Sequence, residues 1–261
     1  MRELRGRLAL VTGASSGLGP FIARRLHLEG IRLVLSARRR PELERLAREL
    51  VGSRVVTADL SMPEEVERLA AEAGPVDLLV ANAGVPASGP LLDFTVEQLD
   101  RALDVNLRAP LVLARLLLPG MVARGRGHLV LIASMAGQVA AARLSVYAAT
   151  KFGLRGLGHG LRAELRGTGV GVSIVSPFYV GRVGMWAETG VRSPLEEVSP
   201  VRVAEAVVDA VRRDRAEVTV APAPVRLLHR LPMAVPELVH TPLGRWGAHP
   251  GRAVEAQRAK R

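Results

Sequence analysis

Short apolar runs alternate with amphipathic stretches along the first 221 residues, and this rhythm carries the fold expectation. Strands are predicted at 8–11, 31–35, 54–58, 77–81, 127–133, 170–175 and 217–221, blocks built mostly of Val, Leu, Ile and Ala. Between them the helical spacing of apolar positions predicts helices at 21–29, 41–51, 63–73, 145–166 and 200–213. Two further helical patterns follow one another across 95–124, divided near Pro110. Strands that alternate with helices call for a parallel sheet with helices on both faces, so the expected class is α/β. No internal repeat, low-complexity tract or linker interrupts the chain before residue 222. Residues 1–221 therefore read as one domain and 222–261 as an extension packed on or beside it. No uninterrupted apolar run approaches the ~20 residues of a bilayer-crossing helix, and no membrane span is expected.

The first strand runs into a glycine-rich turn, Thr12-Gly-Ala-Ser-Ser-Gly-Leu-Gly19, followed by Pro20 and a helix. Pro20 suits a first helical turn, where its missing N–H costs nothing. Gly13, Gly17 and Gly19, with Ser15, Ser16 and Leu18 among them, allow a tight turn whose backbone N–H groups approach a pyrophosphate. Placed between a strand and a helix, this turn points to a dinucleotide site. The second strand ends in Ser36-Ala-Arg-Arg-Arg40. An NAD site puts an acidic residue there for the ribose 2′-hydroxyl, whereas Arg38 and Arg39 suit a 2′-phosphate. NADP(H) is therefore expected in preference to NAD(H). After the third strand, Asp59 and Leu60 stand where a carboxylate can accept the adenine amino group, although a turn or cap role accounts for Asp59 equally. After the fourth, Asn82, Ala83 and Gly84 are small enough to leave room for a cofactor.

Candidate chemistry lies in Ser145-Val-Tyr-Ala-Ala-Thr-Lys151, at the start of a predicted helix. Tyr147 and Lys151 are four residues apart and so share a helix face. An ammonium beside a phenol favours the phenolate, which would make Tyr147 a general acid/base nearer neutral pH than the usual value of about 10. Ser134 follows the apolar run 128–133, where its hydroxyl can bond a substrate oxygen beside that phenol.

Composition narrows the picture further. The formal charge of +11 invites a nucleic-acid reading, but lysine occurs only at 151 and 260 and the arginines are scattered through every helical segment. Aromatic residues are too few for a base-stacking platform, so the charge reads as an arginine bias and no nucleic-acid partner is expected. There is no cysteine, and the six histidines show no His-x-x-x-His spacing, so neither a disulfide framework nor a metal site is expected. With no apolar export signal at the N-terminus, a cytoplasmic protein is the expectation.

Taken in order, Thr12–Gly19, Asp59, Asn82–Gly84, Asn106, Ser134 and Tyr147-Ala-Ala-Thr-Lys151 resemble the short-chain dehydrogenase/reductase family over about residues 6–220. The resemblance implies a Rossmann-type, doubly wound sheet of about seven strands with NAD(P) across its C-terminal edge. It implies that Tyr147 exchanges a proton with the carbonyl or alcohol oxygen and that Ser134 bonds that oxygen. Lys151 would lower the Tyr147 pKa and hold the nicotinamide ribose, while Asn106 positions a water in the proton path. A homodimer or homotetramer is the expected assembly.

One departure follows the sixth strand. The family's usual Pro-Gly, with a threonine four residues beyond the glycine, is here Ser176-Pro-Phe-Tyr-Val-Gly-Arg-Val183. Phe178 replaces the glycine and Arg182 the threonine that bonds the nicotinamide amide, leaving Pro177 and the backbone of Val180 as the cofactor contacts there. The leading function is an NADP(H)-dependent carbonyl reductase or alcohol dehydrogenase. Its alternatives are a reductase of 3-oxoacyl groups on a carrier protein and an NADP-binding regulator with weak chemistry. Phe178, Tyr179, Met185 and Trp186 cluster in the loop that covers the substrate in this family. Two readings of the loop and of the apolar tail segments 225–231 and 233–239 stand side by side. Either both wall a pocket for a bulky hydrophobic carbonyl or alcohol, or the aromatics pack the loop and the tail covers a subunit edge. Peripheral membrane contact by the basic tail is the less favoured third reading.

Overall fold

The computed structural model describes residues 3–191, 193, 196–228 and 251–258. Seven strands form one parallel sheet in the order β3-β2-β1-β4-β5-β6-β7: β1 Leu8–Thr12, β2 Arg32–Ala37, β3 Arg54–Thr57, β4 Leu78–Ala81, β5 Gly127–Ile132, β6 Val170–Pro177 and β7 Glu217–Val220. The helices are α1 Gly19–Leu28, α2 Arg40–Glu49, α3 Pro63–Ala73, α4 Val96–Leu103, α5 Ala109–Ala123, α6 Ser145–Glu164, the short α7 Gly184–Ala187, α8 Pro200–Arg212, α9 Ala223–Leu228 and α10 Gly251–Arg258.

Alternation along the strands builds two cores. Ala9 and Val11 of β1, Leu33 and Leu35 of β2 and Val80 of β4 point to one face, where they meet Ile22, Leu26, Leu43, Val203 and Val207 of α1, α2 and α8. Leu10, Val34, Leu79 and Leu129 point the other way, toward Val66, Leu69, Leu113 and Leu154 of α3, α5 and α6. A sheet covered on both sides requires strands apolar at every position, and the burial of all of Leu78–Ala81 meets that requirement.

Two features of the long segment after residue 95 add detail to the expectation. The break in the long segment after residue 95 lies before Pro110: residues Asp104–Arg108 form a π-helical turn, and Pro110 sits in the first turn of α5. Proline is tolerated there, so it starts α5 instead of dividing a helix. In addition, Val96–Ala123 runs on through that turn and is long and apolar enough to cross a membrane by length and composition, its most apolar 18-residue window having a mean hydropathy of 1.4. Its inward residues Leu113, Leu117 and Met121 belong to the core over β4 and β5, the environment of a buried core helix. The tail segment 233–239 lies outside the described residues, as do 229–231 of the other segment.

Candidate active site

The strand order reverses between β1 and β4, and the glycine turn stands at the resulting crevice. Thr12, the last residue of β1, joins the two strand ends. Its Oγ1 accepts from the N–H groups of Asn82 and Ala83, each at 3.1 Å, and Asn82 Nδ2 donates back to Thr12 O at 3.0 Å. This clamp presses residues 82–84 against the turn. Gly13 and Gly17 take φ values of +65° and +58°, and a Cβ on Gly13 would stand 2.8 Å from Ala83 Cα. A Cβ on Gly19 would run into Gly13 O. Only bare backbone fits here, and bare backbone at a helix start is what a pyrophosphate needs. Leu18 leads directly into α1, and Ser16 is exposed, its carbonyl accepting from Gly19 N–H.

Two guanidinium groups reach the same end of the sheet. Arg39 Nη2 donates to Ser15 Oγ at 3.4 Å, linking the end of β2 to the glycine turn. Arg38 Nη1 lies 3.7 Å from Asp59 Oδ2. Burial alone would raise the Asp59 carboxyl, but hydrogen bonds from Ser61 and the charges of Arg38 and Arg101 hold it below the ordinary value. Leu60 turns inward and joins the core.

The four candidate reacting residues come together from β5, α6 and the π-turn. Ser134 caps a 3₁₀ turn, Met135–Gly137, its Oγ accepting from Ala136 N–H at 3.1 Å, and its hydroxyl acts on the Tyr147 hydroxyl to favour the phenolate. Lys151, 3% exposed, donates from Nζ to Ile132 O at 2.9 Å. Its ammonium stands over the Tyr147 ring, 5.6 Å from the centroid. Gly137 makes room for this packing, since a Cβ there would stand 2.6 Å from Lys151 O. Asn106 is fully buried: Oδ1 accepts from Val85 N–H at 2.8 Å and Nδ2 donates to Val85 O at 3.1 Å. Pro110 has no N–H to offer the carbonyl four residues earlier, which is that of Asn106. The π-turn therefore presents a main-chain oxygen without its regular α-helical donor.

The electrostatics differ from the sequence expectation. Burial pushes the Tyr147 hydroxyl up to about 12, only partly offset by the Ser134 hydroxyl. The same burial brings Lys151 down to about 8. Lys151 hydrogen-bonds the Ile132 carbonyl and not the phenol oxygen, so desolvation dominates at Tyr147 and the phenol is held protonated.

Beyond β6, Phe178 N–H donates to Val220 O at 2.9 Å, and Phe178 packs on the core at the position expected of glycine. Tyr179 stacks on Trp186 with ring centroids 4.0 Å apart, and Trp186 Nε1 donates to Glu197 Oε1 at 2.7 Å. These aromatics therefore pack the loop. Val198 pairs through Tyr179 O and Gly181 N–H, which leaves the N–H and C=O of Val180 directed to the other side of the bridge. Arg182 is exposed with φ +68°, and Pro177 is buried at the end of β6. Met185 reaches toward Gly84, and α10 touches this loop through Gln257, which donates to Met185 O at 2.8 Å. Thr12, Thr150 (whose Oγ1 lies 3.5 Å from Asn106 Nδ2) and Gln257 are the parts sequence reasoning missed. Thr12, a hydroxyl at a strand end beside the glycine turn, carried a usable signal; Gln257, in a polar C-terminal segment, carried none.

Glycine turn, strand-order reversal and the Ser–Tyr–Lys group on one sheet edge define a nicotinamide-type oxidoreductase architecture. The chain belongs to the short-chain dehydrogenase/reductase family, and the family profile described as short chain dehydrogenase matches residues 7–192. It is 37% identical over 256 residues to the ketoacyl reductase HetN of Nostoc sp. (strain PCC 7120), covering 94% of this chain and 89% of that protein. Among solved structures it resembles an actinorhodin polyketide ketoreductase variant with NADPH, at TM-score 0.75 and 31% identity over 84% of this chain and 97% of that one. It also resembles the bulky-bulky ketone specific alcohol dehydrogenase of Comamonas testosteroni, at TM-score 0.76 and 26% identity over 90% of this chain and 94% of that one. The protein is a dehydrogenase/reductase acting on carbonyl or alcohol groups.

Proposed function

We propose that the chain is an NADP(H)-dependent oxidoreductase that interconverts a carbonyl and an alcohol, acting on a bulky hydrophobic substrate. The observation that carries this reading is Lys151, buried, bonded to Ile132 O at 2.9 Å and standing 5.6 Å from the centre of the Tyr147 ring, with Ser134 acting on the Tyr147 hydroxyl. The Tyr147 phenol is protonated at neutral pH and is the proton source for a carbonyl oxygen, and the charge of Lys151 beside its ring partly offsets the burial that opposes its ionisation. Ser134 Oγ is fixed by the Ala136 N–H and bonds the same oxygen, stabilising charge as it develops. Lys151 and the Asn106 carbonyl, with a water between them, return a proton to Tyr147. Gly13–Gly19 hold the pyrophosphate, Asn82–Gly84 the ribose side, Asp59 and Leu60 the adenine, Val180 the carboxamide, and Arg39 with Arg38 the 2′-phosphate. When bound there, the cofactor supplies the hydride.

The solved neighbour that carries NADPH and the one named for bulky ketones support both halves of the proposal. A reductase of 3-oxoacyl groups on a carrier protein is the second reading, favoured by the relative named ketoacyl reductase. We further assign the molecule to the cytoplasm as a homodimer or homotetramer, a state supported by the exposed apolar residues Leu111 and Val122 on α5 and Phe152 on α6. The deciding experiment is a panel of small ketones, bulky ketones and 3-oxoacyl thioesters with NADPH and NADH, read by nicotinamide absorbance. Turnover of bulky ketones with NADPH is expected; exclusive turnover of thioesters selects the second reading, and no turnover at all rejects both.

A further inference from the structure

The C-terminal helix α10 touches the loop over the active site through one buried amide. Gln257 is 4% exposed, its neighbour on the helix Val254 is also buried, and its Nε2 donates to Met185 O at 2.8 Å. That bond fixes the amide's orientation, because the opposite one would set two carbonyl oxygens against each other. Gln257 Oε1 is then buried, with no hydrogen-bond partner among the described residues. Met185 lies in the four-residue helix α7, and its side chain reaches inward. Its Cε is 3.4 Å from the point where a Cβ on Gly84 would stand, and that point is 3.1 Å from Asn106 Oδ1 and 3.9 Å from Lys151 Nζ. One residue is thus held by its carbonyl to the end of the chain while its methyl occupies the space over the reacting groups.

We propose that Gln257 is a positioning residue that holds Met185 across the mouth of the active site, and that Met185, so held, sets the size of the carbonyl compound that reaches Tyr147. Fold stability alone gives little reason for glutamine at this position. Burying an acceptor without a donor costs about as much as the amide's other bond returns, and an apolar side chain of similar volume would avoid that cost. What the glutamine adds is a fixed place for Met185 O. A thioether is flexible, so without that anchor its methyl would have no defined position over Gly84. The inference rests on the carbonyl-reducing reading of the site.

The test uses the full chain as wild type, Gln257→Leu, Met185→Ala and the double variant, with NADPH and two ketones alike in chemistry and different in bulk. Met185→Ala is expected to raise the kcat/KM ratio of bulky over small ketone by about tenfold. Gln257→Leu moves the ratio in the same direction, through KM more than kcat, and adds nothing in the Met185→Ala background. Independently of turnover, hydrogen exchange in the cofactor-free protein should quicken at residues 185–190 in Gln257→Leu and stay unchanged in the sheet. Should Gln257→Leu not fold, Gln257→Met carries the same comparison. An unaltered ratio, an effect that adds fully to that of Met185→Ala, or unaltered exchange overturns the proposal. If the wild type reduces neither ketone, the proposed activity is what fails, and the exchange measurement alone then decides whether the clamp exists.

Discussion

Lys151 Nζ bonds the main-chain oxygen of Ile132 at 2.9 Å and stands 5.6 Å from the centre of the Tyr147 ring. The lysine is thus anchored to the end of β5, and its burial brings it to about 8. Below that pH it is charged and able to attract the cofactor and feed protons toward Tyr147; above it the charge is lost. The kcat/KM for NADPH, which reports the free enzyme, is expected to be level from pH 6 to 7 and to fall above about 8, approaching tenfold per unit. A profile that stays level to pH 10 would remove Lys151 from the assignment.

Tyr147→Phe deletes one hydroxyl and no ring. Turnover is expected to drop by about 10²–10⁴, the usual share of a general acid, while the dissociation constant of NADPH changes little. Stopped-flow reduction and fluorescence titration measure the two separately. Loss of both together would mean that the hydroxyl is needed to hold the cofactor, and its role as proton donor would then rest on nothing.

Arg39 bonds Ser15 of the glycine turn, while Arg38 leans on Asp59, and in the proposed reading both face a 2′-phosphate. A charged hydrogen bond contributes roughly 1.5–3 kcal/mol, so Arg39→Ala should weaken NADPH about ten- to a hundredfold. NADH binding should scarcely change, and Arg38→Asp should shift preference toward NADH by repelling the phosphate. Calorimetry with both cofactors checks this, and equal wild-type affinity for the two would refute the role of both arginines.

His128 is fully buried, its Nε2 2.8 Å from Ser173 Oγ, and burial lowers its pKa to about 3. The unfolded chain takes up a proton near pH 6.5 and the folded chain does not, so the unfolded state gains as pH falls between those values. Stability should therefore decline by about 1.4 kcal/mol per unit over that window from this residue alone. Urea titrations of wild type and His128→Val at pH 7 and pH 5 isolate the effect; an equal loss in both proteins would place it elsewhere.

The seven strands and their flanking helices were legible because the central strands β1, β2 and β4 are mostly apolar on both faces and each helix on one, so period and burial agree. The candidate site was legible for a related reason: Gly13, Asn82, Ser134 and Tyr147 each stand at or next to the end of an element. The π-turn at Asp104–Arg108 was not, since Pro110 marks the segment but not the register on either side of it. Nor was the protonated state of Tyr147, because spacing places Lys151 on the right face without saying that Ile132 O takes its bond. Gln257 was out of reach altogether. Nothing local says that a residue seventy-two positions away will meet Met185.

Val180 and Val198 bound the loop between β6 and α8 and pair with each other. Val198 N–H donates to Tyr179 O at 2.8 Å and Gly181 N–H to Val198 O at 3.1 Å, and Trp186 and its partner Glu197 both lie inside the loop. Its two ends are therefore neighbours, separated by about 4.8 Å, the spacing of paired strands, and neither β6 nor α8 has to move when the intervening chain changes. Such a segment is an interchangeable cassette. The stretch between Val180 and Val198 can lengthen or shorten at a cost that grows only slowly with length, without moving β6 or α8. The Val180–Val198 pairing makes the range of compounds handled by such a frame a matter of insertion and exchange, and it marks where a graft from a relative should be joined.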